Sequence, residues 1–147
     1  MPTVESTITI AAPIAEVYEL CRDIEAFPEF MDDVREVTIT EQTDERQVSH
    51  WVGEVKEFKR TIQWTEEDFW KEDERRCDFK LIEGDLSEYE GYWTFEETGE
   101  SGTTVFLSIT YEYDVPLIGN LIKGLLKKKM QQNSDSMLAA IKDKAEG

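Results

Sequence analysis

Polar and apolar residues alternate along most of this chain, and the alternation gives way to a helical spacing near each end. "VESTITI" (4–10) puts Val4, Ser6, Ile8 and Ile10 on one side, which predicts a half-buried strand. "AAPIAEVYELCRD" then sets Ile14, Val17, Tyr18 and Cys21 on one helical face. Pro13 stands where a first helical turn tolerates proline. "IEAFPEFM" reads as a short second helix broken at Pro28, because proline cannot continue a hydrogen-bonded turn.

From residue 34 the period is two. "VREVTITEQT" (34–43), "RQVSHWVGEV" (46–55) and "EFKRTIQWTEED" (57–68) predict three antiparallel strands joined by short polar turns. "RRCDFKLIEGD" (75–85), "SEYEGYWTFEET" (87–98) and "GTTVFLSITYEYDV" (102–115) predict three more, the last two linked by the glycine-rich turn "TGESGT". Val105, Leu107, Ile109, Tyr111 and Tyr113 share a face, as do Tyr89, Gly91, Trp93 and Phe95, and Cys77, Phe79 and Leu81. Phe58, Arg60, Ile62 and Trp64 form another row. The third strand is ambiguous, with Ser49, Trp51 and Gly53 on one side and Val48, His50 and Val52 on the other.

Pro116 ends the sheet, and a helix is expected to about Ala145. Ile118, Ile122, Leu126, Met130, Asn133, Met137 and Ile141 make one stripe, widened by Leu121, Leu125 and Leu138. The predicted order is β-α-α-β6-α, an α+β chain whose last helix lies oily face down across an antiparallel sheet.

A length of 147 residues, with 39% hydrophobic and 11% aromatic positions, suits one globular domain over 1–147. No run is long enough to span a membrane, and "MPTVESTITI" lacks the order of a secretory signal. Cys21 and Cys77 are widely separated, without metal-like spacing, and are read as reduced residues of a cytoplasmic protein. The net charge is −17, but it is unevenly placed. Residues 1–115 hold 10 Lys+Arg against 30 Asp+Glu, and residues 116–147 hold 6 against 3. So acidic a body repels a phosphate backbone and argues against nucleic-acid binding.

No catalytic set emerges. His50 is the single histidine, which excludes a metal site of two or three histidines. There is no phosphate-binding glycine loop and no dinucleotide fingerprint, and no cofactor or metal is expected. The acidic runs "TEED" and "KEDERR" are expected in solvated turns at strand ends.

The predicted order is that of a helix-grip fold. Three stretches, "ITIAAPIAEVYELCRDIEAFPEFM", "EGDLSEYEGYWTFEE" and "TTVFLSITYEYDVPLIGNLIKGLLKKKM", resemble the START-like (SRPBCC) polyketide cyclase/dehydrase family, and within it the coenzyme Q-binding branch. The resemblance spans nearly the whole chain. It implies a curved sheet of about seven strands wrapped around the C-terminal helix, with a ligand cavity between them. It also implies a hydrophobic small-molecule partner such as a quinone, lipid or polyketide.

On that expectation Trp51, Phe79, Trp93, Tyr111, Met130, Asn133 and Met137 are the cavity candidates, since flat aromatics and flexible methionines suit a planar or isoprenoid guest. Arg60 stands in an apolar row and needs a partner. It either enters the cavity and polarises a ligand carbonyl, or reaches the rim or a local carboxylate. Asn133, polar on an oily stripe, needs a ligand, a water or a tyrosine hydroxyl.

In "PLIGNLIKGLLKKK", Lys123 and Lys127 lie off the stripe, as a solvated outer face or as a docking patch for transient contact with an anionic membrane surface. Gly119 and Gly124 are candidate hinges for a gate there. The leading expectation is an intracellular binding or carrier domain. The alternative is an aromatase/cyclase or dehydratase that confines a polyketide-like substrate, with Arg60 and tyrosine hydroxyls as polarising groups.

Overall fold

The structure is a computed structural model. It describes residues 2–55, 59–113 and 120–147, and for Val55, Arg60, Asn120, Leu121 and Ile122 the backbone alone. Strand β1 (Thr3–Ile10) leads to helix α1 (Ile14–Arg22) and a 3-10 segment at Ile24–Glu29. Six strands follow: β2 (Val34–Gln42), β3 (Arg46–Val55), β4 (Arg60–Lys71), β5 (Arg76–Gly84), β6 (Glu88–Thr98) and β7 (Gly102–Glu112). Helix α2 (Asn120–Glu146) completes the described chain.

The strands form one seven-stranded antiparallel sheet in the order β1-β7-β6-β5-β4-β3-β2. β2 to β7 are joined as consecutive hairpins, and β1 adds to β7 at the far edge. The "TGESGT" turn holds the β6–β7 register from Glu88↔Glu112 to Thr98↔Gly102. Register shifts occur in β2 and between Thr65 and Glu66 of β4. Such irregularities increase local twist and bend a sheet. Gly91 lets β6 lie close to β7 and beneath Phe79, since a Cβ there would stand 1.9 Å from the Ser108 carbonyl oxygen and 2.7 Å from Phe79 Cζ.

Both helices cover the same face. α1 buries Val17, Tyr18 and Cys21, and the Pro13 carbonyl accepts from the Glu16 and Val17 amides at 3.0 and 3.1 Å. Tyr18 packs edge-on to Trp70 of β4 and Phe95 of β6. α2 buries Leu126, Leu138 and Ile141. Polar contacts lock it along β1: Gln131 Nε2 donates to the Glu5 carbonyl at 2.8 Å and Lys142 Nζ to the Thr9 carbonyl at 2.9 Å. The Ala11 amide donates to Glu146 at 2.8 Å. The helix-grip architecture expected from the sequence is the observed one.

Two readings change and one is settled. β4 extends to Lys71, so "TEED" lies inside a strand, with Glu66 and Asp68 buried rather than solvated. The period of two simply continues through the acidic run. Leu125 is exposed, because it sits about 100° round the helix from buried Leu126 and faces away from the sheet. The ambiguity of β3 resolves with Gln47, Ser49 and Trp51 buried on the face that β4 lines with Glu66 and Asp68.

Candidate functional site

Between the inner face of the sheet and α2 lies a cavity of about 90 Å³. Trp51 and Gly53 of β3, Ile62 and Trp64 of β4, Phe79 of β5, Tyr89 and Trp93 of β6, and Leu107 and Ile109 of β7 make its floor. Met130, Asn133, Ser134 and Met137 of α2 make its roof. The strand residues come from one face because each row is spaced by two, and the helix residues by three or four.

The aromatic wall is continuous. Trp51 and Trp64 are directly paired across β3 and β4, with ring planes 6° apart and centroids 5.8 Å apart. Trp64 meets Tyr89 at 5.1 Å, and Tyr89 meets Phe79 at 5.4 Å. Hydrogen bonds fix both indoles. Trp51 Nε1 donates to Ser49 Oγ at 2.9 Å and Trp64 Nε1 to Glu66 Oε1 at 2.7 Å. A planar side chain pinned by its polar edge presents its apolar surface in one orientation.

At one end of this wall lies a buried acid pair, of which Glu66 lines the cavity. Glu66 and Asp68, two residues apart on β4, are 5% and 3% exposed. Asp68 Oδ2 accepts from Ser49 Oγ at 2.7 Å and from Gln47 Nε2 at 3.3 Å. Among the described residues no ion pair reaches either carboxyl. Burial pushes Glu66 well above the usual carboxylate range, and the neighbouring Asp68 charge pushes it further. Burial also raises Asp68, while the Glu66, Ser49 and Gln47 hydrogen bonds oppose that rise. Burial and the closeness of the two carboxyls therefore favour the protonated form of the pair. Burial and these carboxyls together raise the Tyr89 hydroxyl as well.

The other polar end is Asp33, just before β2. With the Asn133 amide turned so that its nitrogen faces acceptors, it donates to Asp33 Oδ2 and to the Lys129 carbonyl at 3.2 Å each. Asn133 thus finds a carboxylate and a helix carbonyl, where the sequence suggested a ligand, a water or a tyrosine.

Of the residues singled out in the sequence, Trp51, Phe79, Trp93, Met130, Asn133 and Met137 are brought together around the cavity. Tyr111 is not among them. It is buried in the core, and its hydroxyl has no hydrogen-bond partner among the described residues. The Arg60 side chain and Gly119 lie outside the described residues. Lys123, Gly124 and Lys127 are exposed on α2. His50 bonds Thr65 Oγ1 through Nδ1 at 2.9 Å. The sequence reading passes over Trp64, Tyr89 and Glu66 as site residues. Trp64 and Tyr89 already stand in inward rows, and extending the Trp64 row by two residues reaches Glu66.

Among the described residues no helix is long and apolar enough to cross a membrane. No curated protein matches the chain. Among solved structures, TTHA0849 from Thermus thermophilus is 33% identical, with a TM-score of 0.92 over 98% of this chain and 97% of that one. The Zhui aromatase/cyclase from Streptomyces sp. R1128 is 20% identical, with a TM-score of 0.90 over 99% and 93%. A START superfamily protein from Mycobacterium smegmatis is 16% identical, with a TM-score of 0.79 over 98% and 97%. The last two likenesses speak to the fold alone. Residues 10–138 match the family described as polyketide cyclase / dehydrase and lipid transport, and the chain belongs to that family.

Proposed function

We propose that the protein binds a hydrophobic small molecule and holds a flat ring of it among Trp51, Trp64, Phe79, Tyr89 and Trp93, under Met130 and Met137 of α2. The observation that carries this reading is the pinned aromatic wall around an internal space. A core that existed only for stability would close that space, since each void forfeits packing. Family membership supports the same class of ligand. The volume limits what enters. About 90 Å³ is well below the ~300–1,000 Å³ of pockets that enclose drug-sized ligands. The cavity takes one ring, and a larger guest requires the two methionines to swing, which their three rotatable bonds allow. The cyclase alternative depends on Arg60, whose side chain lies outside the described residues, so no reaction step is assigned.

The test is native mass spectrometry of gently purified protein, followed by titration with 2-methyl-1,4-naphthoquinone. The resemblance to coenzyme Q-binding proteins makes a quinone the first probe. Trp51, Trp64 and Trp93 should report binding as saturable quenching of fluorescence. Met137→Trp, which fills the roof of the cavity, should abolish the saturable part while leaving the far-UV spectrum unchanged. Quenching that never saturates, with neither quinone nor other apolar molecule retained, would reject the binding reading.

A further inference from the structure

We propose that Tyr89 and Ser134 select the ligand of this cavity: their hydroxyls donate to an uncharged carbonyl oxygen carried on its ring. This rests on the binding function above and specifies its ligand class. The indole donors of the lining are already used. Trp51 Nε1 is bonded to Ser49, and Trp64 Nε1 to Glu66. Two lining hydroxyls are different. Tyr89 rises from the floor on β6, packed against Trp64 and Phe79. Ser134 hangs from α2, one turn from both Met130 and Met137, and is 3% exposed. Neither hydroxyl is hydrogen-bonded to another group among the described residues. The hydroxyls of Tyr18 and Tyr111 also lack partners among the described residues, but they are sealed within the packed core. Tyr89 and Ser134 border an internal space, where a guest can reach them.

These two hydroxyls decide what the guest must carry. A buried donor left without an acceptor costs free energy, so a hydrocarbon that displaces water from Tyr89 and Ser134 binds against that cost. A guest with an acceptor oxygen recovers it. Tyr89 acts as the donor, because burial and the Glu66 and Asp68 charges hold its proton in place. Among acceptors, a carbonyl attached to the ring suits the shape of the site. Conjugation keeps that carbonyl in the ring plane, so the whole group lies flat beside the stacked Trp51 and Trp64 rings. Its oxygen has two lone pairs and can accept from two hydroxyls. A saturated tail carries neither the flat body nor the acceptor.

The experiment compares acetophenone with ethylbenzene, which has nearly the same shape and no oxygen, in calorimetric titrations of the intact protein at neutral pH. Tyr89→Phe and Ser134→Ala each remove one hydroxyl and keep the packing around it. Each should weaken acetophenone about fivefold or more relative to ethylbenzene. Infrared difference spectra of carbonyl-labelled acetophenone give a second readout, which loss of packing does not mimic. The bound carbonyl band should lie at lower wavenumber than in hexane and should move back toward its hexane position in each variant. Unchanged affinity ratios, with a band that stays in place in both variants, would overturn the inference, since another group would then hold the oxygen. The apolar binding function would still stand. Failure of acetophenone, ethylbenzene and the quinone probe alike to bind would overturn the binding function and this inference with it.

Discussion

Replacing Glu66 with glutamine tests the buried acid pair directly. The substitution keeps the shape and both hydrogen bonds, because the amide oxygen can accept from Trp64 Nε1 and the amide nitrogen can donate to Asp68. It removes only the ability to ionise. In the unfolded chain a glutamate loses its proton near pH 4.3. In the folded protein burial and Asp68 hold Glu66 well above that range. Between those two values the folded state binds one proton more than the unfolded state. A raised folded pKa therefore contributes stability that is complete at low pH and is lost as pH rises. The slope for one proton is about 1.4 kcal/mol per pH unit. Other carboxylates give nearly the same background in both proteins, so the difference between them isolates the pair. The assay is urea unfolding, followed by tryptophan fluorescence, at half-unit steps from pH 4 to pH 8. Glu66→Gln should gain on the parent protein as pH increases, by up to about 1.4 kcal/mol per unit across the window, and then level off. Because the two carboxyls titrate together, the window belongs to the pair. Parallel profiles, or a parent protein that gains on the variant with rising pH, would refute the shared proton.

Two further substitutions test the frame around the site. Gly91→Ala places a methyl group 1.9 Å from the Ser108 carbonyl oxygen, so β6 and β7 must separate beneath Phe79. It should cost about 3 kcal/mol or more in urea unfolding, and a loss below 1 kcal/mol would show that the strands part easily. Tyr18→Phe removes a buried hydroxyl that has no hydrogen-bond partner among the described residues. It should leave stability unchanged or raise it by about 1 kcal/mol, since an unsatisfied buried donor costs roughly 1–3 kcal/mol. A clear loss in the same assay would reveal a partner for that hydroxyl.

Most of the fold is legible in the sequence because it is written in local periodicity. Alternation places Phe79, Trp93 and Leu107 on inward rows, and the helical stripe places Met130, Asn133 and Met137 against them, whereas the facing of Trp51 is left open by alternation on its strand. Those rows need no knowledge of the rest of the molecule, since side chains on a strand alternate and those on a helix recur each turn. Sequence and structure part where residue type outweighs the pattern. Four polar residues in a row are ordinarily solvated, yet the second and fourth positions of "TEED" continue the row of Trp64. Leucine is oily and suggests the stripe, yet the angle of Leu125 on the helix carries it outward.

The sequence by itself determined the order of elements, most of their faces and the family to which the chain belongs. Only the tertiary structure decided that a space of about 90 Å³ remains between sheet and helix, and that Trp51 and Trp64 stack across paired strands. It also decided that Glu66 and Asp68 share a buried place with Ser49 and Gln47 and without a cation among the described residues. The physical reason is the range of the forces involved. Periodicity is set by a residue's near neighbours along the chain. A cavity volume or the protonation of an acid depends instead on distant segments and on the water they exclude.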